Sequence, residues 1–204
     1  MPHRLAALVP LILVALLAGC ASTPARSIAT AQEQEALGEI HARLVHLESE
    51  LEEARLEALA RSRQERQVER LLEQGFKLVG TRYRYGGTTV KTGFDCSGFI
   101  GYLFRNETGL HLPRSTRQMI RYDAPKVARD ELEPGDIVFF ATRRKGRVDH
   151  AGIYIGDNRF IHSASRRSGV RVDRLDQGYW APRYLQAKRV LNGSETLNLA
   201  QLTR

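Results

Sequence analysis

Three side chains in this sequence could together do nucleophilic chemistry: a cysteine, Cys96, and two histidines, His150 and His162. Cys96 stands in Gly93-Phe94-Asp95-Cys96-Ser97-Gly98-Phe99-Ile100-Gly101-Tyr102-Leu103-Phe104, where a glycine-bounded loop runs into an apolar helix. A thiol at a helix N-terminus meets the positive end of the helix dipole and unpaired backbone N–H groups, both of which favour thiolate over thiol. A cysteine nucleophile also needs a histidine to take and return its proton, and a polar group to orient that histidine. From residue 68 onward the chain has three histidines, His111, His150 and His162. The last two fall on adjacent predicted strands.

Strand register decides whether those two can cooperate. If Gly156-Asp157-Asn158 is a three-residue loop, Ile155 faces Arg159, and counting back sets Gly152 opposite His162 with His150 as its diagonal neighbour. Both imidazoles and Gly152 then share one face, and Ile153, Ile155 and Ile161 the other. A plain two-residue turn would split the histidines, so the chemistry requires an odd loop or a bulge. On this reading His150 is general base and acid, and a neutral His162 is the orienting acceptor. Protonating His162 would remove the acceptor, so activity should fall below roughly pH 6.5, the ordinary histidine value. Two other readings compete. A lone cysteine heading an apolar helix can be an inert buried residue, and Cys96, His150 and His162 could be three zinc ligands, although Cys/His zinc sites usually draw on more cysteine. His111, beside a proline, reads as a surface residue. Arg114 and the basic run Arg143 to Arg147 could meet substrate carboxylates or form a solvated face.

The elements that must position these groups are those of an α+β domain. Val68, Leu71, Leu72, Phe76 and Val79 make a helical face ending at Gly80. The nucleophile helix runs from about Ser97 to Arg105 or Thr108 and is closed by Gly109. Leu112-Pro113-Arg114-Ser115-Thr116 predicts a turn and N-cap before a short helix over 115–122. Strands are expected at Ile137 to Ala141, Val148 to Ile155, Arg159 to Ala164, Val170 to Asp173 and Tyr184 to Leu191, giving a small antiparallel sheet. Residues 81–93 read as an irregular functional loop.

Upstream, Ala31 to about Gln67 is rich in Ala, Glu, Arg and Leu and predicts a long helix. Leu37, Ile40, Leu44, Leu47, Leu51, Ala54 and Ala58 follow coiled-coil spacing, which weakens after Leu51. Residues 31–67 could therefore form a homodimer, receive another helical partner, or pack alone. Residues 1–20 have a short basic start, an apolar run and the ending Leu17-Ala18-Gly19-Cys20. This ending resembles the lipobox of bacterial lipoproteins, which implies a signal peptide over 1–19, lipidation of Cys20 and a membrane anchor. The competing reading is an ordinary secretory signal. With Ala21 rather than Asp after the cysteine, the sorting pattern of such lipoproteins points to the outer membrane facing the periplasm. Residues 20–30 would be the lipidated cysteine and a flexible tether, and 193–204 a polar tail.

Of the 204 residues, 42% are hydrophobic and 26% charged, which excludes wholesale disorder and a multi-span membrane protein. The 31 Lys+Arg against 23 Asp+Glu leave a net charge of +8, suited to an anionic partner. Two cysteines with separate roles leave no disulfide framework.

Tyr83-Arg84-Tyr85-Gly86-Gly87, Phe94-Asp95-Cys96-Ser97-Gly98-Phe99, Leu112-Pro113-Arg114-Ser115, Pro134-Gly135-Asp136, His150-Ala151-Gly152-Ile153-Tyr154-Ile155-Gly156 and Phe160-Ile161-His162 together resemble the NlpC/P60 family over residues 68–192. The resemblance implies a papain-like α+β fold and hydrolysis of peptidoglycan peptide bonds by a triad of Cys96, His150 and His162. It implies a partner in peptidoglycan, not nucleic acid, and no metal or other cofactor. Tyr83 would place its hydroxyl near the nucleophile and help bind the oxyanion. Asp95 and Ser97 match positions lining the family's substrate groove, and Arg114 joins them as a substrate-binding candidate.

Overall fold

The computed structural model describes residues 24–191, with two compact units, one up to Glu52 and one from Glu53 on. The expected signal peptide, Cys20 and residues 193–204 lie outside the described residues. Helix α1 (Pro24–Lys77) begins inside the expected tether and continues through the expected break at 67/68. Proline fits a first helical position, where its missing N–H costs nothing. The change of pattern at Val68 is a change of covered face, not of backbone. Leu37, Ile40, Leu44, Leu47 and Leu51 are exposed, whereas Gln67 and Leu71 are buried. Among the described residues no helix is long and apolar enough to cross a membrane.

In the second unit, strands β1 (Thr88–Thr89) and β2 (Gly93–Phe94) form a two-stranded hairpin within the expected irregular loop. Helix α2 (Cys96–Thr108) follows, closed by Gly109 in the left-handed region. Helix α3 is shorter than expected, Thr116–Met119, with Ser115 as its N-cap. The remaining strands are β3 (Lys126–Val127), β4 (Ile137–Phe140), β5 (His150–Gly156), β6 (Arg159–Ser165), β7 (Gly169–Arg174) and β8 (Tyr184–Lys188). They make one antiparallel sheet in the order β3-β8-β4-β5-β6-β7.

Each face of the sheet has its own core. On one face Phe99, Ile100, Leu103 and Phe104 of α2, with Leu71 of α1, pack on Ile137, Phe139, Ala151, Ile153 and Ile161. On the other, Val138, Phe140, Tyr154, Phe160, Leu175 and Ala187 cluster with Trp180 and Tyr184. The period of two along β4 to β6 feeds both cores, which is why these strands read as nearly continuous apolar runs.

The β5–β6 register places Gly152 opposite His162, as the parity argument required, but by another route. Gly156 pairs with Arg159 across a two-residue turn, and Tyr154 pairs with Phe160, so Ile155 is the extra residue of a bulge. Asp157 and Asn158 both have positive φ, 52° and 53°, as a type I′ hairpin turn demands. The expected pairing of Ile155 with Arg159 is therefore replaced by a tighter turn plus a bulge, which restores the same parity. A Cβ on Gly152 would lie 2.6 Å from the Phe160 ring and 3.1 Å from His162 Cβ, so this position must stay bare for the rings to lie flat against the strand.

Candidate active site

Cys96 is the first residue of α2, and Asp95 is its N-cap, accepting from the Gly98 amide at 2.7 Å. The preceding loop is held against this turn by close backbone approach. A Cβ on Gly98 would lie 2.0 Å from the Gly87 carbonyl, so only glycine lets the Tyr83–Gly87 segment seat there. Tyr83 bridges to Phe94, and the Arg84 amide donates to the Phe94 carbonyl, fixing Tyr83 beside the cysteine turn. Ser163 of β6 donates to that same carbonyl at 2.8 Å, tying the turn to the sheet.

The backbone amides of Ala151, Ser97 and Cys96 itself all favour the thiolate form of Cys96, which places the sulfur near the first residues of β5, directly after His150. The imidazoles lie on the face opposite α2, with Phe140, Phe160 and Trp180. His150 Nε2 is 2.7 Å from His162 Nδ1, and His162 Nε2 is 3.0 Å from Asp173 Oδ2. An ionised carboxylate only accepts, so His162 carries its proton on Nε2 and accepts at Nδ1. His150 then carries its proton on Nε2, which leaves its Nδ1 lone pair free. This is the tautomer a base acting on a thiol requires. Both nitrogens of His162 are engaged, which disfavours the zinc reading, and no cluster of potential metal ligands occurs among the described residues.

The sequence reading missed Asp173. It sits on β7 opposite Phe160, with Arg171 opposite His162, so His162 has His150 and Asp173 as its two diagonal neighbours on one face. Asp173 Oδ2 also accepts from Trp180 Nε1 at 2.7 Å and from Arg171. Burial opposes its charge, but His162, Arg171 and Trp180 outweigh that and hold the carboxyl down to about 2. Trp180 stacks on His150, with centroids 5.2 Å apart and planes 27° apart, and meets His162 edge-on. His162 thus has a carboxylate partner that the sequence reading did not identify.

Titration in the site departs from expectation in two ways. Burial, then the Asp95 carboxylate, push the Cys96 thiol up to about 11, against the pull of three amides. The helix N-terminus was expected to favour thiolate, but the N-cap that organises it brings a negative charge next door. Burial also pushes His162 below its ordinary value despite Asp173, and burial with His162 pushes His150 well below it. The acid limb expected near pH 6.5 therefore moves lower, since both rings stay neutral until the pH falls through their depressed values. At rest the site holds a neutral thiol and neutral imidazoles. Iodoacetamide alkylation of Cys96 should accordingly be slow at neutral pH and still be rising at pH 9.5; a plateau by pH 8 would show a resting thiolate instead.

The cleft in front of Cys96 has a volume of about 570 Å³ and is lined by Tyr83, Asp95, Ser97, Arg114, Arg117 and Arg143, among others. Burial, then Cys96 once it is deprotonated and the Asp95 carboxylate, push the Tyr83 hydroxyl up, so it remains a donor. Arg114 is not a free basic face. It forks onto both Asp95 oxygens at 3.0 and 2.8 Å and donates to Ser97 at 2.8 Å. Asp95 also accepts from the Gly86 amide at 2.8 Å. Burial works against its charge, and Arg114 with the Gly98 and Gly86 amides outweighs it, leaving the carboxyl below its ordinary value. Of the sequence candidates, Cys96, Tyr83, Asp95, Ser97 and Arg114 line one cleft; His150 follows the cleft-lining Asp149 in the chain and pairs with His162, neither histidine being among the lining residues, and Cys20 lies outside the described residues. His111 is exposed and lines a separate small cavity.

A helix headed by a cysteine and packed on an antiparallel sheet that carries two histidines defines a papain-like α+β protein. Residues 80–189 match the NlpC/P60 family, and the chain belongs to that family. It is 46% identical over 125 residues to the murein DD-endopeptidase MepS/murein LD-carboxypeptidase of Escherichia coli K12, covering 61% of this chain and 64% of that protein. It is 38% identical over 114 residues to the murein DD-endopeptidase MepH of the same strain, covering 55% of this chain and 42% of that protein. Among solved structures, an NlpC/P60 family protein from Bacillus cereus ATCC 10987 superposes with a TM-score of 0.57 at 32% identity, covering 61% of this chain and 40% of that one. The chain spans less than two thirds of the length of these curated relatives.

Proposed function

We propose that this protein is a peptidoglycan endopeptidase that cleaves stem or cross-link peptide bonds through a Cys96 acyl-enzyme. The observation that carries the reading is the His150–His162–Asp173 chain, whose hydrogen bonds leave Nδ1 as the open base on His150, the residue before the Ala151 amide that favours the Cys96 thiolate. The names of the murein endopeptidases it resembles support the substrate class. As the Cys96 sulfur attacks the scissile carbonyl, its proton passes to His150 Nδ1, and the developing imidazolium is stabilised through His162 by Asp173. The Cys96 amide and the Tyr83 hydroxyl are the donors available to the oxyanion. His150 returns the proton to the leaving amine, then activates the water that releases the acyl group. The candidate bonds are D-Ala–diaminopimelate and D-Glu–diaminopimelate.

Incubation of the protein with purified sacculi, followed by mass identification of the soluble muropeptides, tests this. Fragments with new ends at one of those two bonds are expected. No release by the folded protein would leave the competing reading, an envelope scaffold acting through α1 with a silent domain.

Lipidation at Cys20 and an outer-membrane position facing the periplasm belong to the same proposal, supported by Leu17-Ala18-Gly19-Cys20. So does pairing of α1 with a second copy. Leu37, Ile40, Leu44, Leu47 and Leu51 are between 45% and 70% exposed and form an a/d stripe. In a parallel, in-register pair the flanking g and e positions set Arg43 against Glu48, and Glu50 against Arg55, which are opposite charges on both sides. Sedimentation equilibrium of the unlipidated mature chain should give a dimer that Leu44→Glu dissociates. A monomer at high concentration would count against pairing.

A further inference from the structure

The relay leaves one charged feature of the cleft without a role. Arg143 lies on the β4–β5 loop and lines the cleft together with Cys96 and Tyr83. Its backbone is fixed. The Asp149 carboxylate accepts from the Thr142 amide at 2.7 Å, the Thr142 hydroxyl at 2.8 Å and the Arg143 amide at 2.8 Å. Beyond it the loop closes on itself, with the Arg147 amide donating to the Arg144 carbonyl and Gly146 at a positive φ of 75°. A long side chain on an anchored backbone loses less freedom on binding than one on a loose tip.

Charge in the cleft is unbalanced. Its two carboxylates are both engaged inside the protein, Asp95 by Arg114 and two backbone amides, and Asp149 by the loop donors. Arg114 is neutralised by Asp95. Among the described residues no hydrogen bond or ion pair engages the guanidinium of Arg143, nor that of Arg117, the other cleft-lining arginine. A half-enclosed cleft with one sign of charge concentrates anionic ligands, and a guanidinium matches a carboxylate in a two-bond fork.

We propose that Arg143 is a specificity-determining residue that binds a free carboxylate of the substrate peptide beside the scissile bond, with Arg117 adding to the attraction. This rests on the endopeptidase reading and narrows it: the preferred substrates are stem peptides whose carboxylate next to the cleaved bond is free, and amidated peptides are cleaved less well. Arg144, on the same loop but outside the cleft lining, has no such part.

The test uses two peptides that differ only by amidation of that carboxylate. With the wild-type protein, amidation should raise KM about tenfold and change kcat less than about twofold, the size expected when a charge-assisted fork is lost. Arg143→Gln should raise KM for the free acid to that of the amide and leave the amide unchanged, Arg143→Lys should keep part of the preference, and Arg144→Gln should behave as wild type. Preference retained in Arg143→Gln, or absent in the wild type, overturns the proposal. Calorimetric binding of both peptides to Cys96→Ala protein, with and without Arg143→Gln, repeats the comparison without hydrolysis. Discrimination that depends on Arg143 there supports the carboxylate site even if the wild type releases nothing, an outcome that would count against the endopeptidase reading alone. Equal binding of the two peptides, or binding of neither, overturns the site.

Discussion

Cys96→Ala should lower the release of muropeptides from sacculi by roughly 10⁴-fold or more, the loss typical when the nucleophile of a coupled triad is removed. The fold should survive. Cys96 is only partly buried, at the first turn of α2, and alanine is tolerated at such a position with little change in packing. The residues that hold the turn together, Asp95, Gly98 and Gly87, are untouched, so thermal unfolding should shift by no more than a few degrees. This separates a chemical role from a structural one. An inert buried cysteine would give the opposite pattern, with stability lost and activity kept in proportion to the folded fraction. Equal rates for wild type and variant would end the acyl-enzyme mechanism, and inhibition by a chelator but not by a thiol reagent would revive the zinc alternative.

The candidate cysteine and both histidines could be singled out from sequence because their constraints are local or set by parity. Cysteine at a helix start, glycine where backbones touch, and a period of two along a strand all act over a few residues. The β5–β6 register was counted from an assumed three-residue loop, with an odd loop or a bulge as the requirement, and the structure takes the second route, since a two-residue turn with a bulge at Ile155 gives the same sum of paired positions as that loop. Asp173 was out of reach for a related reason. Whether Arg171 or Asp173 stands beside His162 depends on the β6–β7 register, which shifts between Ser163 and Ser165, and no parity requirement was available to fix it. Trp180 comes from the segment between β7 and β8, where no periodicity applies. The change of pattern at Val68 misled in another way. It read as a boundary between elements, but nothing between Glu39 and Gln74 breaks a helix, and only the partner of the apolar face changes. The thiol was misjudged because the helix dipole was considered without the burial of the sulfur and without the carboxylate that caps the same helix.

Asp173→Asn should lower kcat by about 10- to 100-fold, with KM changed less than about twofold, and should move the acid limb of the rate profile to lower pH. The first effect follows from charge. Asp173 is ionised throughout the working range, since its partners hold it down to about 2, and its charge stabilises the imidazolium that forms on His150 through the His162 ring. Asparagine can keep its amide oxygen toward His162, Trp180 and Arg171, preserving the tautomer and losing only the charge. In the other orientation the amide donates, His162 must carry its proton on Nδ1, and that proton meets the Nε2 proton of His150. Serine-protease-type triads lose about 10⁴-fold when the tautomer is wrong, so a loss near that value would indicate the flipped amide. The second effect follows from the sign of each influence on His162. Burial lowers its pKa and Asp173 raises it. Without the carboxylate the pKa falls further, and the rings stay neutral to lower pH. A carboxylate that merely held β7 in place would reduce the active fraction at every pH and leave the limb where it was. Asp173→Ala provides the structural comparison. It leaves the buried His162 and the half-buried Trp180 Nε1 without their acceptor, at about 1–3 kcal/mol for a fully buried donor, so it should lower the unfolding temperature well below that of Asp173→Asn. An acid limb unmoved in Asp173→Asn, with kcat within twofold of wild type, would remove Asp173 from the relay and leave His162 as its last member.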